Sequence, residues 1–154
     1  EIKVQPEFIS VLSNFKESIY YKIYSTSYKM WLDNKITGVG LNNYEEVCKN
    51  NKKYQILSKN YGNCSSHPHN FYLQWLIEAG IIGFLMFIIF IFYIFKSFYK
   101  SRHLYSSKIG FISLVIIFWP IMSTGSLLKN WHGIETFFII GISLLLSKKL
   151  SKTN

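Results

Sequence analysis

The chain has 154 residues, a formal net charge of +9 and an aromatic content of 18%. Its length would suit one soluble domain, but residues 71–147 are too apolar to form the core of a water-soluble protein. The composition therefore excludes an ordinary soluble domain. We attribute the basic charge to loop topology in a membrane protein rather than to nucleic-acid binding.

The chain starts with a polar half, residues 1–70, that does not open with a signal peptide. Glu1–Gln5 reads as the interior of a longer protein, so we expect the chain to be a C-terminal fragment that is inactive in isolation. We predict that residues 1–70 form an extracytoplasmic, periplasmic loop containing amphipathic helices.

Two helices are predicted in this loop. Between Pro6 and Asp33, apolar and aromatic residues recur at helical spacing, which predicts an amphipathic helix that lies at a membrane interface or packs on other helices. Further on, Asn43 stands three residues before Glu46, a spacing typical of a capping box. This pattern predicts a short helix from about Tyr44 to Leu57.

Two cysteines, Cys48 and Cys64, also lie in the polar half. They can pair if this half faces an oxidising compartment, and two free thiols are the alternative. No rule of spacing decides between these two states.

Three apolar segments follow, and each is predicted to cross the membrane. The transmembrane helices are predicted over 71–95, 109–128 and 135–147, separated by a loop over 96–108 and a turn over 129–134, with a tail over 148–154. The second segment reaches about 30 Å as a helix, the thickness of the hydrocarbon core. The third segment is short, so it must either borrow Trp131–Ile134 of the preceding turn or lie in a thin region of the membrane, and a re-entrant segment is the alternative.

The second apolar segment contains helix-breaking residues near its end. Pro120, Gly125 and the Ser123-Thr124 pair predict that it kinks or unwinds in its last third.

Basic residues set the predicted orientation. The 96–108 loop carries four and the tail three, whereas the 129–133 turn carries one. Short loops rich in Lys and Arg stay in the cytoplasm. The 96–108 loop and the tail are therefore predicted to be cytoplasmic, and residues 1–70 and the turn are predicted to face outward.

One dense polar cluster, His67-Pro68-His69-Asn70, stands directly before the first apolar segment, and His132 and Lys129 are predicted on the same side. A neutral imidazole can take a proton from a sugar hydroxyl near neutral pH. Asn70 can cap the helix that starts at Phe71, and the free N–H groups of a helix start suit a phosphate. Two alternatives stay open from the residues alone: a metal pair completed by a carboxylate or thiolate, and a helix cap without chemistry.

In context, three motifs in order resemble the O-antigen ligase and polymerase family of membrane glycosyltransferases. The first is an aromatic helix followed by Gly38-x-Gly40 and Tyr44. The second is His67-x-His69-Asn70-x-x-Leu73, and the third is Glu78-x-Gly80-x-x-Gly83. Gly125-Ser126 and Asn130-Trp131 are similar to a pattern in some members.

The resemblance implies an all-α integral membrane fold: an extracytoplasmic helical loop followed by three transmembrane helices, part of a larger multi-span bundle in the bacterial inner membrane. It implies transfer of a glycan from undecaprenyl pyrophosphate to a sugar hydroxyl, with inversion and without a metal or cofactor. The acceptor is the lipid A core in a ligase and another glycan in a polymerase, and membrane lipids surround the protein.

Carried over by position, the resemblance assigns the base to His69, with His67 as second choice. The predicted substrate-binding residues are Asn70, Gly38, Gly40, Lys35 and His132. The family holds pyrophosphate with arginines, and residues 1–95 contain none. Lysines such as Lys22, Lys29 and Lys35 would have to replace them, or the arginines lie upstream.

Three other functions stay open. A protein O-oligosaccharyltransferase shares much of the histidine motif. A non-catalytic membrane scaffold would use the histidines only to cap a helix, and a metal-dependent membrane hydrolase would use His67 and His69 as ligands.

Overall fold

The structure is a computed structural model that describes residues 13–55, 64–120 and 123–151, with the backbone alone at 130 and 147–151. The described residues form helices, turns and irregular segments without a strand, which confirms the all-α prediction for them. Parts of the predicted elements lie outside the described residues, namely residues 6–12, 56–63, 121–122 and 152–154.

The described residues of the polar half form the helices α1 (Ile19–Asp33), α2 (Tyr44–Asn50) and α3 (Lys52–Gln55). A 3-10 turn over Phe15–Glu17 precedes α1, and the Ser18 side chain then accepts a hydrogen bond from the Tyr21 N–H at 3.2 Å. The described part of the helix predicted over Pro6–Asp33 is therefore interrupted at this cap. The helix predicted from Tyr44 to Leu57 is likewise divided, because Asn51 adopts an extended conformation between α2 and α3.

The predicted capping box at the start of α2 does not form. Asn43 has helical backbone angles and makes no side-chain cap. Instead the buried Glu78 carboxylate accepts hydrogen bonds from the Asn42 N–H, at 3.0 Å, and from the backbone of Tyr44. A carboxylate from a distant element thus replaces the local cap.

The apolar half starts with α4 (Phe71–Glu78) and α5 (Gly80–Lys100). The prediction of one continuous helix over 71–95 is therefore wrong, because two helices occupy this range. The break is at Gly80, which has φ of +64° and would place any Cβ against the Ile36 carbonyl oxygen. Only glycine combines this backbone conformation with so close an approach. The Trp75 ring stacks on Phe87 with centroids 5.1 Å apart, so α4 folds back along the first turns of α5.

The last helices are α6 (Tyr105–Ile117) and α7 (Asn130–Ser151). The predicted 96–108 loop is shorter than expected because α5 and α6 both extend into it. The helix predicted over 109–128 ends at Ile117, ahead of Pro120, and residues 123–126 are irregular, which confirms the predicted unwinding. The helix predicted over 135–147 starts already at Asn130 and so includes Trp131–Ile134, the first of the alternatives considered for it.

Two hydrophobic clusters meet at α4. One joins α1, α2 and α3 to Ile77, and the other joins Phe71 to α5, α6 and α7. A disulfide between Cys48 and Cys64 lies within the first cluster and ties α2 to the segment that leads into the histidines. Helix α4 therefore links the polar half to the apolar half.

Among the described helices, α5 is long and apolar enough to cross a membrane, judged by length and composition. It has a mean hydropathy of 2.4 over its most apolar window, whereas α6 and Trp131–Leu146 are apolar but shorter. The multi-span bundle, its topology and the membrane boundaries stay predictions.

Candidate active site

The two histidines of the motif are held by the irregular residues between α6 and α7. The Thr124 N–H donates to the His69 carbonyl at 2.9 Å, and the Thr124 carbonyl lies 3.2 Å from Nε2 of His67. The imidazole rings of His67 and His69 lie side by side, with centroids 4.2 Å apart. Residues far apart in sequence therefore build one site.

Both ring nitrogens of His67 are engaged. A carbonyl oxygen can only accept, so Nε2 carries the hydrogen that is donated to Thr124. Nδ1 then accepts from the Ser66 hydroxyl at 2.9 Å. Burial and the nearby His69 lower the pKa of His67 below its usual value, so the ring is neutral and its lone pair is occupied.

His69 has a different environment. Its ring contacts are aromatic, with His67 on one side and the Tyr20 ring edge-on at 6.3 Å. Burial lowers its pKa, so the neutral form prevails at neutral pH. Its backbone has φ of +54°, a left-handed conformation that costs energy in most residues, and the hydrogen bond from Thr124 stabilises it.

His132 and Lys129 lie on the same side of the molecule as the histidine pair. The His132 ring packs against Phe71, with centroids 5.6 Å apart, and lies so close to Gly125 that a Cβ there would be 2.9 Å from it. Lys129 Nζ lies 3.8 Å from a Glu45 oxygen, and its charge helps to lower the pKa of His67. The half-exposed Lys129 is thus a cation beside the histidines.

The other predicted binding residues have mainly structural contacts. Asn70 caps α4 by accepting from the Leu73 N–H at 3.1 Å, as predicted, and donates to the Pro120 carbonyl at 2.8 Å. Gly40 donates its N–H to the Glu78 carbonyl at 2.9 Å.

Gly38, Gly40 and Lys35 lie at the opposite end of α4 from the histidines. A Cβ on Gly38 would meet the Glu78 backbone at 2.5 Å, and the Lys35 carbonyl accepts from the Ile81 N–H at 2.9 Å. Since eight helical residues span about 12 Å, the structure does not bring these three residues to the histidine pair.

Sequence reasoning missed two residues that contact the histidine motif, Tyr20 and Thr124, and it placed Lys129 on the same side without giving it a role. Tyr20 and Thr124 reach the histidines through tertiary packing, and neither stands at an informative spacing from them. The one available clue was the unwound end of the second apolar segment, because irregular backbone next to a polar motif often lines a site.

A cavity of about 530 Å³ opens away from the histidines and is lined by Asp33, Asn34, Gly38, Val39, Val47, Asn51, Lys53 and Tyr54. Within the described residues, no three side chains of His, Cys, Asp or Glu cluster as metal ligands would. Both cysteines that had been considered as ligands form the disulfide. The chemistry of the site is therefore that of imidazoles beside a lysine.

This fold and site define a helical protein with a histidine pair at the junction of a polar half and a long apolar helix. A family model described as O-antigen ligase matches residues 9–88, more than half of the chain, and the chain belongs to that family. The resemblance drawn from the motifs is confirmed. No curated protein and no solved structure matches the chain.

Membership implies a protein of the bacterial inner membrane that acts on glycan and lipid-linked substrates in O-antigen ligase or polymerase chemistry. The matched region contains the histidine motif and both glycine motifs. Thr124, Lys129 and His132 lie beyond it.

Proposed function

We propose that this protein transfers a glycan from undecaprenyl pyrophosphate to a hydroxyl of the lipid A core at the periplasmic face, with His69 as general base. The observation that carries the proposal is the contrast between the two histidines. His67 has both ring nitrogens in hydrogen bonds, whereas His69 is neutral, partly buried and beside Tyr20.

The reaction is a single displacement that inverts the anomeric centre. His69 takes the proton of the acceptor hydroxyl, and the oxygen forms a bond to the anomeric carbon. The bond from that carbon to the pyrophosphate oxygen breaks, and undecaprenyl pyrophosphate leaves with the electron pair. Pyrophosphate is a good leaving group, so the step needs no general acid and no metal.

Lys129 is the cation best placed to stabilise the pyrophosphate charge. It is half-exposed and its charge acts on His67, whereas Arg102 stacks on Tyr99 just beyond the far end of α5. A lysine acts as a point charge and lacks the bidentate fork of arginine, so we infer that it shares the diphosphate with other cations.

The test is His69→Ala in the protein as it occurs in the cell, with polymer attached to outer-membrane lipid as the readout. Loss of a general base lowers the rate by about 100-fold or more, so attachment is expected to disappear. His103→Ala is the matched control, because His103 is exposed between α5 and α6. Attachment that persists in His69→Ala would contradict the proposal and favour a scaffold, and polymer that is shortened rather than detached would identify a polymerase.

A further inference from the structure

Side chains of α4 and of its cap bind the described residues on the two sides of positions 121–122, between α6 and α7. Tyr72 donates its hydroxyl to the Phe118 carbonyl at 2.6 Å, and Asn70 donates to the Pro120 carbonyl at 2.8 Å. Gln74 donates from Nε2 to the Ser126 hydroxyl oxygen at 2.7 Å. The first two contacts fix the residues before positions 121–122, and the third fixes a residue after them.

The pair of Gln74 and Ser126 is almost fully buried, with exposures of 2% and 3%. Ser126 Oγ also accepts a hydrogen bond from the Leu128 N–H at 3.2 Å. This one oxygen therefore links the Gln74 side chain of α4 to the turn before α7. A buried polar group that loses its hydrogen-bond partner destabilises the fold, so burial favours keeping Gln74 and Ser126 paired.

Thr124, two residues before Ser126, uses both its backbone groups on the histidine motif. Its carbonyl accepts the hydrogen on Nε2 of His67, which fixes the tautomer of that ring, and its N–H donates to the His69 carbonyl. A shift of residues 123–126 would break both contacts together. The position of Ser126 is therefore coupled to the tautomer of one histidine and the backbone conformation of the other.

We propose that Gln74 and Ser126 are positioning residues that hold residues 123–126 so that Thr124 orients the two histidines. The expected effect on transfer rests on the proposed function, whereas the effect on the His67 ring does not. Neither residue touches the reacting groups; both act through Thr124.

The experiment compares Ser126→Ala with Ser107→Ala in the full chain reconstituted in lipid nanodiscs. Ser107 is a fully buried serine whose hydroxyl has no hydrogen-bond partner among the described residues, so its variant removes the same group without touching the histidines. Nitrogen-15 NMR of the labelled histidines reports the His67 tautomer, and initial rates of transfer give kcat and KM.

Wild type and Ser107→Ala are expected to show His67 protonated on Nε2. Ser126→Ala is expected to show a mixture of tautomers and a kcat lower by about tenfold at a similar KM, the size of effect that one hydrogen bond carries. Ser126→Thr keeps the hydroxyl and is expected to restore both readouts. If Ser126→Ala does not fold, Gln74→Met removes the donor at similar volume and takes its place.

An unchanged His67 tautomer in the folded variant would overturn the inference whatever the rate. A changed tautomer with an unchanged kcat would also overturn it, because the histidines would then not need this support. Failure of the proposed function appears separately, as full transfer activity in His69→Ala.

Discussion

At the scale of single residues, His67 and His69 differ in what surrounds their ring nitrogens. The sequence made the motif visible and ranked His69 first only by resemblance. The structure adds that Thr124 and Ser66 form hydrogen bonds with both ring nitrogens of His67, which favours His69 in the proposed role. Thr124 was not predictable, because its contact depends on how the end of the second apolar segment unwinds.

The lowered pKa of His69 leads to a pH prediction. A base acts when it is neutral, and burial moves the pKa of His69 below its ordinary value of 6.5. As the pH falls, kcat/KM is therefore expected to decline with a midpoint below pH 6.5. A pH–rate profile whose acid limb has its midpoint at or above 6.5 would contradict this assignment.

At the scale of elements, the two glycine motifs pack the polar half onto the break between α4 and α5. The sequence predicted Gly38 and Gly40 as binding residues, and it treated the residues around Gly80 as helix. Both interpretations missed that the motifs contact each other, a fact that only the tertiary structure supplies. By contrast, Asn70 could be predicted as a cap, since capping depends on local sequence.

Alanine at Gly38 or Gly80 is expected to lower the free energy of unfolding by more than about 1 kcal/mol, because both positions have positive φ and no room for a Cβ. Gly141→Ala is the matched control. It lies in α7 with open space around it, so alanine there is expected to be neutral or slightly stabilising. Thermal unfolding of the purified variants measures this, and equal stabilities for all three would refute the packing role.

At the scale of the whole molecule, the disulfide bears on which side of the membrane the polar half faces. The cysteines and the histidines lie in the same polar half. If the disulfide forms in an oxidising compartment, the histidines therefore face that compartment too. The sequence left the pairing open, since 16 residues separate Cys48 from Cys64 and folding alone brings them together.

The disulfide closes a loop whose length predicts about 3 kcal/mol of stabilisation. Reductant is therefore expected to lower the unfolding temperature of the wild type and to leave the double variant Cys48→Ser, Cys64→Ser unaffected. If the unfolding temperature of the wild type does not change under conditions that reduce the disulfide, the crosslink does not contribute to thermal stability.

The predicted orientation places residues 1–70 outside and the α5–α6 turn inside. Cysteines introduced by Lys16→Cys and Arg102→Cys occupy exposed positions in these two regions. In spheroplasts, a membrane-impermeant maleimide is expected to label the first variant directly and the second only after permeabilisation. The reverse pattern would invert the topology.

The central claim is that His69 accepts the proton, and the most direct measurement compares the two histidines in purified transfer from a lipid-linked donor. His67→Gln keeps a side-chain donor for the Thr124 carbonyl, whereas His69→Ala removes the base. The account predicts that His69→Ala lowers kcat by about 100-fold or more and that His67→Gln stays within about tenfold of wild type. The opposite ranking, with His67→Gln inactive and His69→Ala active, would contradict it.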